Sequence, residues 1–155
     1  MPLSLPRSEA LQRLEHHFQS MPPVVAMAPR IDGFDGQRLQ LSAPLAMHVN
    51  DKGCAFGGSM VSLLTLASWA LVSMQVEAAG IDAAIYVADS QVRYLHPVFE
   101  DLRITAELAP SGGWDAFLAT LRQRRRARTS LVARLVLDDG RIATDFSARY
   151  VAIAR

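Results

Sequence analysis

Residues 56–79 read FGGSMVSLLTLASWALVSMQVEAA, and this run constrains the chain more than any other feature in it. Read as a helix, it is apolar on nearly every side. A helix of that kind is stable only when protein surrounds it. Its most apolar part, residues 60–74, is about 15 residues long and is broken by Ser62, Thr65, Ser68 and Ser73. A membrane span needs roughly 20 residues without such breaks. The run therefore predicts a buried helix from about Phe56 to about Ala79, stopped by Gly80. A chain of 155 residues with 50% hydrophobic and 20% charged residues can build the core that such a helix needs. One domain over 1–155 is expected.

The rest of the chain supplies the wrapping. SEALQRLEHHFQSM predicts a first helix, with Ser8 as N-cap and Leu11, Leu14 and Phe18 on one face. Met21-Pro22-Pro23 stops it. VVAMAPRI is expected to be a strand interrupted at Pro29, and RLQLSA alternates as a strand does. After the long helix, AAIYVADSQVRYLHPV is β-rich up to Pro97, and DLRITAEL alternates again. SGGWDAFLATLRQRR predicts a short helix with Trp114, Phe117, Leu118 and Leu121 on one side. The last segment predicts two strands joined at Asp138-Asp139-Gly140-Arg141, a hairpin signal. Strands thus outnumber helices around one central apolar helix. That order predicts an α+β fold in which a curled antiparallel sheet wraps the helix, the hot-dog arrangement.

Other classes are disfavoured. The net charge is +1, which gives no bulk attraction to nucleic acid. RQRRRAR at 122–128 holds five arginines, but no aromatic residues interleave with them. The run is either a solvated surface or a phosphate contact. One cysteine gives no intramolecular disulfide and no cysteine zinc site, and no His/Asp/Glu cluster has metal-ligand spacing. No metal and no other cofactor is expected. The N-terminus lacks a basic region followed by an apolar stretch, so it does not read as a secretory signal; a cytoplasmic location is expected.

APLAMHVNDKGCAFGGSMVSLLTLASWALV followed by VADSQVRYLHPV resembles the thioesterase domain of the YiiD C-terminal type, a hot-dog family. The resemblance runs from about Leu11 to Val151. It includes the start HHFQSMPP, the FGGS motif, the DSxxRYLxP motif and the Asp-Gly hairpin. It implies hydrolysis of a thioester whose carbonyl sits at the start of the central helix. The free N–H groups there would stabilise the oxyanion. Gly57 and Gly58 would let the thioester approach the backbone; tight packing of the helix start is the competing reason for them. A wider thioesterase pattern has Asn, Gly, then His-Gly-Gly, with an Asp further along the helix. Asn50, Gly53, Gly57 and Gly58 match it. Phe56 stands in place of the His, and Thr65 about where the Asp would be, so neither supplies an acid or base.

The candidate site follows from these residues. Gly58 would donate to the oxyanion. Asn50 would hold a water or the carbonyl, or would simply close an Asx turn. Ser59 and Thr65 would position a water, or would bond back to helix carbonyls, as is expected of Ser62. Asp89, inside an apolar strand, is the carboxylate candidate for a general base for water, supplied across a dimer interface. Alternation puts it with Gln91 and Arg93 on one face, where it could instead pair with Arg93. Phe56 and Gly57 would line the substrate. Arg124 and Arg126 would hold the phosphates of coenzyme A. Cys54 is expected to be a small buried residue, and no histidine has a motif partner for a serine triad.

Three functions remain open on the sequence. The first is hydrolysis of a thioester of coenzyme A or acyl carrier protein. The second is binding of acyl groups without turnover. The third is a purely structural dimerisation domain. A homodimer or dimer of dimers is expected, with the strand at 84–95 pairing with its twin.

Overall fold

The computed structural model describes residues 8–155. Helix α1 spans Glu9–Gln19, and its N-cap Ser8 accepts a hydrogen bond from the N–H of Leu11. Leu14 and Phe18 are its buried face. The next element corrects the sequence reading. VVAMAPRI does not begin as a strand. Pro22–Met27 form a second helix, α2, and strand β1 starts only at Arg30. The two prolines cause this, because proline stops one helix and pre-sets the first turn of the next. Ala28 then takes a left-handed conformation, φ 49°, and ends α2.

Strand β1 (Arg30–Phe34) pairs with β2 (Arg38–Ala43), and a 3-10 turn follows at Leu45–Met47. The central helix α3 spans Gly57–Ala78. Then come β3 (Ala83–Tyr94), β4 (Leu102–Leu108), α4 (Trp114–Arg124), β5 (Arg126–Val136) and β6 (Ile142–Ala154). All strand pairs are antiparallel, in the order β1-β2-β4-β5-β6-β3. This is the hot-dog fold: one sheet curled around α3.

Alternation explains the wrapping. On β6, Phe146, Ala148, Tyr150 and Ala152 are buried; on β5, Leu131, Ala133 and Leu135 are buried. These side chains face α3, whose Leu63, Leu64, Ala67, Ala70 and Leu71 are fully buried. Tyr150 reaches through this core and donates to the Thr65 carbonyl at 2.8 Å. Burial pushes its phenol pKa well above the usual value. The apolarity and length of α3 would suit a membrane span, but its place is the core of the sheet.

Strand β3 is one edge of the sheet, and it is unlike the others. Tyr86, Val87 and Tyr94 are exposed large hydrophobic residues on it. Its register with β6 slips between Val87 and Asp89, so Ala88 forms a bulge.

Candidate active site

The loop before α3 is built to deliver one backbone geometry. His48 is buried, and its Nε2 lies 2.7 Å from the Met27 carbonyl. The Asn50 carboxamide oxygen accepts from the N–H groups of Lys52 (2.8 Å) and Cys54 (3.2 Å), which is an Asx turn. Ala55 N–H donates to Val98 and Phe56 N–H to His48. Phe56 therefore arrives extended, at φ −68° and ψ 132°, as the N-cap of α3.

No side chain caps this helix, and no acidic residue lies in its first turn. The first helical hydrogen bond runs from Met60 N–H to the Phe56 carbonyl at 3.1 Å. The N–H groups of Gly57, Gly58 and Ser59 have no acceptor among the described residues. They point out of the helix start with the positive end of its dipole.

The two glycines differ in their surroundings, and only Gly58 is crowded. A Cβ on Gly58 would stand 2.5 Å from Cε1 of Phe56. A Cβ on Gly57 would meet the Tyr94 ring at 3.5 Å, an ordinary contact, and the Tyr94 hydroxyl donates to the Gly57 carbonyl at 2.9 Å. Tyr94 is the residue that sequence reasoning left out. It sits in the RYL motif, but its bond to Gly57 depends on how β3 curls across α3. Phe56 and Tyr94 are each more than half exposed, at 56% and 51%, so the helix start opens on an apolar rim.

Four of the expected residues meet there: Phe56, Gly57, Gly58 and Ser59. The others are spread out. Asn50 spends its oxygen on its own loop, and its amide nitrogen faces the Cys54 sulfur at 3.3 Å. Cys54 is buried, as expected. Ser62 and Thr65 bond back to the carbonyls of Gly58 and Val61, both at 2.7 Å.

Asp89 needs a correction. Its partner is Arg149, not Arg93. The carboxylate accepts from the Arg149 Nε at 2.9 and 3.0 Å and from its Nη2. Arg149 lies between the inward-facing Ala148 and Tyr150, so the pair is on the outer face of the sheet, with α3 on the other side. Asp89 is exposed rather than buried, and the hydrogen bonds from Arg149 hold its pKa below the ordinary carboxylate value. The expected alternation itself holds: Ser90, Val92 and Tyr94 lie opposite the inward Ala148, Phe146 and Thr144.

The arginine run lies near the other end of α3. Arg122 donates to the Ala79 carbonyl at 2.9 Å and Arg125 to the Arg155 carbonyl at 2.6 Å. Arg124 and Arg126 are exposed and make no ion pair among the described residues. A 22-residue helix is about 33 Å long, so one protomer keeps these arginines far from Gly58.

A curled sheet around a helix with an open, glycine-bearing start defines a hot-dog protein of the thioesterase type. The chain belongs to the family described as "Putative thioesterase (yiiD_Cterm)", whose model matches residues 11–154. A solved structure from Shewanella oneidensis, described as a "putative thioesterase", is 30% identical, with a TM-score of 0.84 over 94% of this chain and 98% of that one. A Chlorobaculum tepidum protein "with unknown function" is 25% identical, with a TM-score of 0.87 over 93% and 94%. A "probable thioesterase" from Pseudomonas aeruginosa shares the fold at 21% identity and a TM-score of 0.79, over 97% and 99%.

Proposed function

We propose that this chain hydrolyses an acyl thioester of coenzyme A or acyl carrier protein at the start of α3. The observation that carries the reading is the set of three N–H donors at Gly57, Gly58 and Ser59 that have no acceptor among the described residues, at a helix start with no side-chain cap. Such donors, fixed in advance, are what an oxyanion needs. The reaction adds water across the C–S bond and requires no cofactor.

The working unit in this proposal is a homodimer, or a dimer of dimers, joined through β3. An edge strand of 12 residues with exposed Tyr86 and Val87 is a hazard unless it is covered. Antiparallel self-pairing of β3 would bring its first half beside the second half of the partner strand. Arg126 lies opposite Ile153 and Ala84 opposite the same residue, so the arginine run sits beside that first half. In the dimer, Arg124 and Arg126 of one copy would hold phosphates of a substrate whose thioester lies at the other copy's Gly58.

A second reading has its own support. Phe56 and Thr65 replace ionisable residues of the wider thioesterase pattern, and Asp89 lies across the sheet. A protomer thus has no acid or base at its helix start, which favours acyl binding without turnover. One experiment separates the two: free thiol release from a panel of acyl-CoA chain lengths, with light scattering on the same sample. Turnover by a dimer supports hydrolysis. Saturable binding with no thiol release supports the second reading, and a monomer at micromolar concentration removes the β3 interface.

A further inference from the structure

The protomer has a second feature that the helix start does not use. A cavity of about 470 Å3 lies between α1, the last turns of α3 and the first residues of β3. Leu14, Met74 and Ile85 give it an apolar floor, and Trp69 forms one wall. The Trp69 indole N–H is taken by the Ile85 carbonyl at 3.1 Å. Ser73 is among the lining residues, and its hydroxyl is buried with no hydrogen-bond partner among the described residues.

The titratable groups around the cavity differ sharply. Glu77 is held by Arg13, and Asp82 by Arg155 at 2.7 Å. Two lining groups have no such partner among the described residues, the Tyr86 hydroxyl and His17, and of these His17 is the one that can serve as a base near neutral pH. Its ring stacks on Trp69, with centroids 5.5 Å apart and planes 14° from parallel. Neither of its ring nitrogens has a hydrogen-bond partner among the described residues. The stack fixes the ring and leaves both nitrogens available. Imidazole is the commonest general base in enzymes.

Symmetry supplies the missing link. Tyr94, at the end of β3, is bonded to Gly57 at the helix start. Ala83 to Tyr86, at the beginning of β3, line the cavity. Antiparallel self-pairing centred in β3 therefore brings the helix start of one copy over the cavity of the other. We infer that His17 of one protomer is the general base for the thioester held at Gly58 of its partner, with the acyl group lying in the cavity between them. This rests on the proposed reading of the α3 start. A water on His17 attacks the thioester carbonyl and gives its proton to the imidazole. The oxyanion is held by the Gly58 N–H. The C–S bond breaks, and the imidazolium returns the proton to the departing thiolate, so the products are a carboxylic acid and a thiol.

The test is complementation between His17→Gln and Gly58→Val, each checked for dimer mass and melting. Alone, His17→Gln should lose about 10²-fold or more in kcat. Its affinity for an S-alkyl-coenzyme A thioether should stay near wild type. Gly58→Val alone should lose about 10²–10³-fold. Co-expressed, half of the dimers are mixed, and each mixed dimer keeps one intact site of two. Turnover should return to about a quarter of wild type. A co-expressed sample no more active than its parents would overturn the inference, because the base would then act within one copy or not at all. Wild-type kcat in His17→Gln with an inactive Gly58→Val would overturn it too, while leaving the helix-start reading intact. Wild-type turnover in Gly58→Val would overturn both.

Discussion

The two ends of α3 are finished in opposite ways. At the C-terminal end the helix is closed by its backbone and by a neighbouring side chain. Gly80 sits at φ +72°, where only glycine is comfortable. Its N–H bonds to Glu77 at 2.9 Å, and the N–H of Ile81 bonds to Val76 at 3.2 Å. Arg122 adds a charged donor to the Ala79 carbonyl. At the N-terminal end nothing is closed. There is no capping side chain, no acid in the first turn, and three N–H groups are left without acceptors among the described residues. Both ends carry glycine. At Gly80 it serves the backbone's own geometry; at Gly58 it keeps a side chain away from the exposed ring of Phe56 and from anything that approaches the amide. One helix thus has a closed end and an open end, and the proposed oxyanion donors are at the open one.

That contrast can be broken at either end. The largest effect is expected from Gly58→Val, which should cut turnover by about 10²–10³-fold, or roughly 2.7–4 kcal/mol of transition-state stabilisation. Melting should stay close to wild type, because the clashing atom belongs to the free end of an exposed phenylalanine. Gly80→Val should do the reverse. A β-branched residue in left-handed backbone costs about 1–2 kcal/mol, and in a chain of this size each kcal/mol lowers Tm by about 2–4 °C. Turnover per folded molecule should not change. If both variants lost stability and activity together, the two ends would not be separate.

Smaller effects sharpen the picture. Charge reversal at Arg124 and Arg126 should raise KM for acyl-CoA several-fold and leave kcat unchanged, which is the mark of uniform binding. The effect should fade at high salt. A KM indifferent to both would make the run a solvated surface. Asp89→Asn should change turnover least, since Asp89 lies across the sheet from α3. Its carboxyl pKa is lowered in the folded chain by Arg149. A lowered folded pKa contributes stability above the unfolded value, near about 4, and loses it as pH falls further. The wild type should therefore lose more stability than Asp89→Asn as pH falls below that value. Parallel acid melting curves would contradict the pairing.

The sequence carried the fold where local pattern decides it. An all-round apolar run broken by Ser62, Thr65, Ser68 and Ser73 reads as a core helix, and the Asp138–Arg141 hairpin and the apolar face of α4 follow from turn chemistry and periodicity. It misled at residues 22–27, where VVAM has a strand's composition but two prolines start a helix. The site was legible only where it is contiguous. FGGS marks the open helix start directly. The partner of Asp89 lies 60 residues away, and the bulge at Ala88 helps fix which residue of β6 it meets. Tyr94 reaches Gly57 only because the sheet curls. His17 meets Trp69 only after α1 folds onto α3. None of these contacts has a signature in sequence spacing.

The most direct measurement follows the backbone amides of α3 by NMR while a ketone analogue of acyl-CoA, with methylene in place of the thioester sulfur, is titrated in. The open-end account predicts the largest downfield proton shift at Gly58, with smaller shifts at Gly57 and Ser59, and no downfield shift of that size at Gly80 or Ile81. Saturable binding that leaves the amides of residues 57–59 unmoved would contradict it.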